Sequence, residues 1–360
     1  MTPTPSLIID LPTVKRNIAR MHGYVREHNL AIRPHTKTHK SQRMARLQLD
    51  AGAKGLTVAK AGEAISMAEV CDDIFVAYPA LDPWRREHLA TLARRCTVRV
   101  GFDSADAAQM IGEAAHAADA TIGALVDLDV GHHRTGVQSP AAALDLARAV
   151  AKTRGLRFDG IMFYPGHLKH PLEEQAKLIV PIAAMVKETL DLLRKDGLEA
   201  KIVSGGSTPA AYQSHLIPGQ TEIRPGTYIF NDMSTVSINQ VTVDDCAARM
   251  TCTVISTAVP GKFVIDAGSK SLTQDRRTID PDTAGFGHVV EYPDATIVRL
   301  TEEHGEVQLG PSSRTPKVGE RVHVVPNHIC PCVNLQTMAW VKDEAGNLEP
   351  LSIDARGQVW

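Results

Sequence analysis

From residue 30 to residue 230 the chain repeats one pattern, a short β-branched run followed by a polar, Ala- and Leu-rich stretch with helical spacing. The runs are Leu30–Lys37, Gly55–Ala59, Asp73–Pro79, Thr97–Asp103, Thr121–Val130, Leu156–Tyr164, Ala200–Gly205 and Thr221–Ile229. Between them the spacing predicts helices such as Asp82–Arg95, Ser104–Ala118, Pro140–Thr153, Leu172–Asp196 and Pro209–His215. Several are opened by Ser, Asp or Pro, as a first helical turn favours. Eight alternating βα units point to a closed parallel (β/α)8 barrel of the TIM type, with its chemistry at the carboxyl ends of the strands. A doubly wound open sheet is the competing architecture, but no Gly-x-Gly-x-x-Gly follows the first run, so the barrel is expected.

A barrel takes about 250 residues, and this chain has 360, so a second domain is expected. After residue 240 the texture changes. Met250–Ser256, Lys262–Asp266, His288–Tyr292, Thr296–Leu300, Glu306–Leu309, Arg321–Val325 and Gly357–Trp360 read as short strands between Gly, Pro and Asp turns, with no convincing helix. That predicts a barrel over residues 11–240 and a smaller antiparallel β domain over 241–360. A net charge of -2 gives no electrostatic reason to expect nucleic acid or an anionic membrane as a partner. No apolar run approaches the ~20 residues that cross a bilayer, and Met1–Pro5 has no signal-peptide character, so a cytoplasmic protein is expected. The six cysteines are too scattered for a disulfide scaffold, and Cys71 and Cys96, beside strands, read as small buried hydrophobes.

The unusual polar clusters fall at strand ends, where a barrel enzyme needs them. Lys37 ends the first run, in Arg33-Pro34-His35-Thr36-Lys37-Thr38-His39-Lys40. Burying an ammonium without a partner is costly or forces its pKa down, which suits a Schiff-base lysine better than a structural one. The bland alternative is a solvated basic loop continuing through Lys40 and Arg43. Gly131-His132-His133-Arg134-Thr135-Gly136 follows the fifth run, and Tyr164-Pro165-Gly166-His167 ends the sixth. Ser204-Gly205-Gly206-Ser207-Thr208 ends the seventh and opens the next helix, so it offers amides and hydroxyls to an anion unless it is a plain turn. Gly226-Thr227, in Arg224-Pro225-Gly226-Thr227, could add amides to the same anion. Near the C-terminus, Pro326-Asn327-His328-Ile329-Cys330-Pro331-Cys332 follows an apolar run. In an extended segment His328 and Cys330 share a face and could meet one cation, Zn²⁺ best and Mn²⁺ less well. Two protein ligands would leave positions open for substrate oxygens. The alternative is a histidine beside two buried thiols.

Arg33-Pro34-His35-x-Lys37 together with His328-x-Cys330 resembles the D-threonine aldolase and D-serine dehydratase family, whose fold is that of alanine racemase. The resemblance implies that Lys37 carries pyridoxal phosphate (PLP) and that Gly205, Gly206, Ser207, Gly226 and Thr227 hold its phosphate. It places Arg134 near the phenolate oxygen, Tyr164 against the ring, and Arg224 at the pyridine nitrogen, where an arginine weakens the ring as an electron sink and makes a metal more necessary. His328 and Cys330 would hold a divalent cation (Zn²⁺, Mn²⁺ or Mg²⁺), Cys332 would be a bystander, and His170 would be the base on the substrate hydroxyl. It further implies that residues 1–10 join the β domain, and that the chain acts as a homodimer on a small D-amino acid. The activity implied is a PLP- and metal-dependent lyase that cleaves D-3-hydroxy amino acids to glycine and an aldehyde. The alternative is a D-serine or D-3-hydroxyaspartate dehydratase giving a 2-oxo acid and ammonia. Aldolases commonly have aspartate where Cys330 stands, which favours the dehydratase, whereas Tyr164 with His170 favours the aldolase. A base aimed at the hydroxyl bears on which bond breaks, so the aldolase is preferred. A non-catalytic PLP carrier would have the barrel without the β domain.

Overall fold

The structure, a computed structural model, describes residues 2–277, 279, 282 and 284–360. Its contacts divide the chain into two units, one of Arg20–Lys37, Ser41–Gly226 and Gly357–Trp360, the other of Met1–Ala19, Thr38–Lys40 and Thr227–Arg356. The chain opens with β1 (Ser6–Asp10) and α1 (Leu11–Glu27).

All eight expected strands of the first unit are present. They are β2 (Ala31–Ile32), β3 (Leu56–Val58), β4 (Asp73–Val76), β5 (Thr97–Phe102), β6 (Ile122–Leu128), β7 (Leu156–Phe163), β8 (Ile202–Gly205) and β9 (Glu222–Ile223). They pair in parallel in the order β2-β9-β8-β7-β6-β5-β4-β3. The two ends of that order meet through a parallel bridge between His35 and Thr57, where the Thr57 amide donates to Pro34 O at 2.8 Å. The barrel is thereby closed. Both β2 and β9 are shorter than their apolar runs because Pro34 and Pro225 follow them, and a proline has no N–H for the ladder.

The helices α2 (Gln42–Asp50), α3 (Ala61–Met67), α4 (Pro83–Leu92), α5 (Ala105–Ala117), α6 (Pro140–Lys152) and α7 (Leu172–Lys195) fill the connections. Their starts follow the expected capping chemistry. Asp82 accepts from Arg85 N, Ser104 from Ala107 N and Ser139 from Ala142 N, with Pro83 and Pro140 in the first turn. The helix expected over Pro209–His215 is instead a 3-10 turn, Ala211–Leu216, stopped before Pro218-Gly219.

A barrel interior is normally filled by branched aliphatic side chains. Here one layer is ionic. Arg33 reaches Glu222 at 3.1 Å and Asp73 at 2.6 Å, Arg99 reaches Asp159 at 2.8 Å and also Asp73, and Arg157 reaches Asp159 at 2.6 Å. Ser204 Oγ donates to Glu222 at 2.6 Å. Gly123 makes room for this layer, since a Cβ there would stand 2.3 Å from Asp159 Oδ2.

The second unit contains α8 (Met233–Ser237), β10 (Ala248–Ser256), β11 (Lys262–Ile265), α9 (Ser269–Leu272), β12 (His288–Val289), β13 (Thr296–Leu300), β14 (Gly305–Gln308), β15 (Arg321–Val325), α10 (Ile329–Leu335), β16 (Met338–Lys342) and β17 (Leu348–Ser352). The sheet order is β13-β14-β11-β10-β1-β16-β17, and β15 pairs with β10 and β12. All its pairs are antiparallel except β1 with β16. Two expectations fail here. Helices do occur after residue 240, and Gly357–Trp360 forms no strand but groups with the barrel unit, where Gly62 N donates to Trp360 O at 3.0 Å.

Candidate active site

Lys37 lies in a 3-10 turn, Thr36–Thr38, directly beyond the bridge that closes the barrel. Thr36 Oγ1 donates to Thr57 O at 3.2 Å, which pins the turn to the end of β3. Thr36 and Thr38 are buried while Lys37 is exposed. The expectation of a buried ammonium is therefore corrected: Lys37 is exposed, just past the carboxyl end of β2.

The loop after β6 is built on two carboxylates. Asp129 Oδ1 accepts the amides of Gly131, His132 and His133 at 2.9 to 3.0 Å, and Asp129 Oδ2 accepts from Gln138 Nε2 and lies 2.9 Å from His133 Nδ1. Burial opposes ionisation of Asp129, but these donors outweigh it and hold the group at about 2. Gly136 has φ +106 and a Cβ there would stand 2.5 Å from Asp129 N, so the loop can fold back only with glycine. The result is a rigid loop that sets the Arg134 guanidinium carbon 4.9 Å from the centroid of the Tyr164 ring. Arg134 and Tyr164 are thus brought together.

Asp127, one pleat earlier on β6, is buried and accepts from Thr135 Oγ1 at 2.9 Å. Burial pushes its carboxyl up to about 6, partly offset by Thr135, Arg224 and Arg134. Arg224 is itself buried, and burial lowers it to about 10 against the pull of Glu222 and Asp127. Its guanidinium donates to Ser204 O at 2.5 Å, to Ser204 Oγ at 2.7 Å and to Phe163 O at 3.0 Å, tying together the ends of β7, β8 and β9.

Beyond β8 the chain turns at Gly206, φ +90. Among the described residues, the amides of Gly206 and Ser207 are donated to no carbonyl, so both are available to an anion. Because the segment opens a short 3-10 turn rather than an α-helix, these amides, not a helix dipole, are what it offers. Thr208 Oγ1 accepts the Gly226 amide at 3.1 Å, which fastens Gly226 to this segment. His170 is half-buried in the loop after β7, and its Nδ1 is buried with no hydrogen-bond partner among the described residues. His132 lies edge-on to Tyr164 at 5.3 Å. His132 and His167 are both held below the usual imidazole value by burial and then by neighbouring cationic or imidazole groups.

In the second unit His328 is the residue before α10, with φ -136, and Cys330 is inside the first turn of that helix. The extended segment expected there is corrected: proline at 331 suits a first helical turn, and the buried Asp232 accepts the Ile329 amide at 3.1 Å, so the helix starts at once. The same carboxylate caps α8 by accepting Thr235 N at 3.1 Å. His328 and Cys330 still meet across this turn. Burial works against the imidazolium, but Cys330, then Asp232 and Asp275, outweigh it and raise His328 to about 9. Cys330 Sγ lies 3.2 Å from Thr38 Oγ1 and 3.7 Å from Thr227 Oγ1. An imidazole and a thiol on neighbouring positions with two hydroxyls beside them fit a borderline-soft divalent cation. Cys332 is buried, 3.1 Å from Ser271 O, its thiol pushed up to about 12 by burial.

The alanine racemase N-terminal domain model matches residues 9–234, and the putative serine dehydratase domain model matches residues 247–341. The chain belongs to the D-threonine aldolase and D-serine dehydratase family. It is 30% identical to a D-threonine aldolase of Arthrobacter sp. over 98% of this chain and 93% of that one. It is 32% identical to the D-threo-3-hydroxyaspartate dehydratase of Delftia sp. (strain HT23) over 91% of this chain and 90% of that one. The crystal structure of D-threonine aldolase from Filomicrobium marinum superposes with a TM-score of 0.91 at 30% identity, covering 100% of this chain and 97% of that one. The family is one of PLP-dependent lyases, and the barrel with its second β unit is the family's fold. No helix among the described residues is long and apolar enough to cross a membrane.

Asp127, Asp232 and Asp275 were not singled out by the sequence motifs. Asp127 and Asp129 did leave a signal, two carboxylates at i and i+2 at the end of the apolar run Ile122–Leu128. Asp275 and Asp232 lie 53 and 96 residues before His328 and left none.

Proposed function

We propose that the chain is a PLP- and metal-dependent aldolase that splits D-3-hydroxy amino acids into glycine and an aldehyde. PLP bound at Lys37 would supply the electron sink for the pair released when the Cα–Cβ bond breaks. His328 and Cys330 would hold a divalent cation, the source of Lewis acidity at the substrate hydroxyl. Gly205, Gly206, Ser207, Gly226 and Thr227 would hold the phosphate, the amides of Gly206 and Ser207 being its donors, while Arg134 and Tyr164 would fix the ring. Arg224 would face the pyridine nitrogen and, being always a donor, would leave that nitrogen without a proton. His170 takes the hydroxyl proton as the carbonyl of the aldehyde forms.

The observation that carries the aldolase reading is the His170 ring, which keeps a buried Nδ1 with no partner among the described residues, in the same loop that supplies Tyr164. The second reading, a dehydratase releasing a 2-oxo acid and ammonia, is favoured by Cys330 as cation ligand. In either reading PLP belongs to the barrel unit of Arg20–Lys37, Ser41–Gly226 and Gly357–Trp360, and the metal ligands His328 and Cys330 belong to the other unit. The enzyme acts as a cytoplasmic homodimer on a small D-amino acid, with neither nucleic acid nor membrane as partner. Incubation of the PLP- and Mn²⁺-loaded protein with D-threonine tests the choice. Glycine and acetaldehyde are expected; 2-oxobutyrate with ammonia would transfer the assignment to the dehydratase, and no turnover of D-threonine or D-serine would leave a carrier.

A further inference from the structure

His328 has a carboxylate behind it. Asp275 Oδ2 lies 2.9 Å from His328 Nδ1. The segment that delivers this carboxylate is unusual. It follows α9 at Thr273, whose φ of +79 is an uncommon and strained conformation for a β-branched residue. Thr273 Oγ1 accepts the Asp275 amide at 2.9 Å, which closes the turn. On the other side Asn327, buried and next to His328 in the chain, donates from Nδ2 to Asp275 O at 3.0 Å and to Gly285 O at 2.9 Å. Asp275 is therefore fastened to the Asn327-His328 dipeptide twice, through its carbonyl and through its carboxylate. A two-point attachment of that kind fixes the rotation of the imidazole.

A carboxylate only accepts, so the proton of a neutral His328 resides on Nδ1 and the lone pair on Nε2. Among the described residues no three or more His, Cys, Asp or Glu side chains are gathered to hold a metal ion, so Asp275 is not a third ligand beside His328 and Cys330. Its influence passes through the imidazole. We propose that Asp275 is a positioning residue for the cation site: it holds His328 in the Nδ1–H tautomer, aims Nε2 at the cation, and is itself presented by the strained turn at Thr273. Carboxylates placed behind metal-binding histidines typically change metal affinity by about 10- to 100-fold. The inference rests on the reading that His328 and Cys330 bind a divalent cation.

The test is calorimetric titration of Zn²⁺ into the full chain after chelator treatment, for the wild type, Asp275→Ala and Asp275→Asn, with thermal unfolding of each metal-free protein alongside. Asp275→Ala is expected to weaken Zn²⁺ binding at least 10-fold. Asp275→Asn, which keeps an oxygen acceptor without the charge, should bind with an affinity between the other two. Equal affinity in all three would overturn the positioning role while leaving the cation site standing. Absence of Zn²⁺ binding in the wild type would overturn both. Should Asp275→Ala fail to fold, the near-isosteric Asn variant decides alone: unchanged affinity refutes the role and weakened affinity with an unchanged melting temperature supports it.

Discussion

Asp127 occupies an inward position of β6 that an aliphatic residue would ordinarily fill, and it faces Arg224, Asp103, Arg134 and Thr135. Its pKa of about 6 in the fold exceeds the usual carboxylate value of about 3.9. The folded state therefore holds this proton more tightly than the unfolded one, and the contribution to stability is present at low pH. It is lost as pH rises from about 4 through about 6, amounting to at most about 3 kcal/mol. Asp127→Asn should flatten that part of the stability profile, which urea unfolding of the wild type and variant at about pH 3 and about pH 7 (roughly one unit outside the steep region) can show. An identical pH slope in both proteins would place the titration elsewhere. The residue was legible in part, since Val126-Asp127-Leu128-Asp129 shows charge on one face of an otherwise apolar strand. What the pattern lacks is the partner, because Arg224 comes from β9 and a strand's sequence says nothing of which strands share its interior layer. His328 and Cys330 were legible as a pair but not their backbone, because Asp232 starts the helix from a distant position.

The eight strands and the helices α4 to α7 were legible because each carries its own period and its own cap. The ionic layer was not. Arg33, Asp73, Arg99, Asp159 and Glu222 each read locally as a charge at a strand edge, and only closure of the barrel turns them inward on one another. Such a network stands because every charge has a partner, and removing one member leaves the others buried and uncompensated. Arg33→Met keeps the bulk of the side chain yet removes the guanidinium paired with Glu222 and one of the two paired with Asp73. It should lower the unfolding free energy by about 3–5 kcal/mol, measured by urea denaturation at neutral pH. A loss below about 1 kcal/mol, the range of an exposed pair, would show that water reaches this layer.

At the scale of the whole chain, the division into units falls between Lys37 and Thr38 and again between Gly226 and Thr227. Each boundary cuts a motif that the sequence presents as continuous. Lys37 belongs to the barrel, and Thr38, the next residue, belongs to the unit where its hydroxyl meets Cys330. The insertion of β1 between β10 and β16 was illegible for a related reason, since pairing between segments hundreds of residues apart has no local signature. The central claim is that the amine of Lys37, a residue exposed at the barrel's closing seam, bonds covalently to PLP. Borohydride reduction of the PLP-loaded chain, followed by proteolysis and mass spectrometry, reads that bond directly. A single phosphopyridoxyl group on Lys37 is the expected result; the group on Lys40 or Lys60, or no labelled peptide at all, would contradict it.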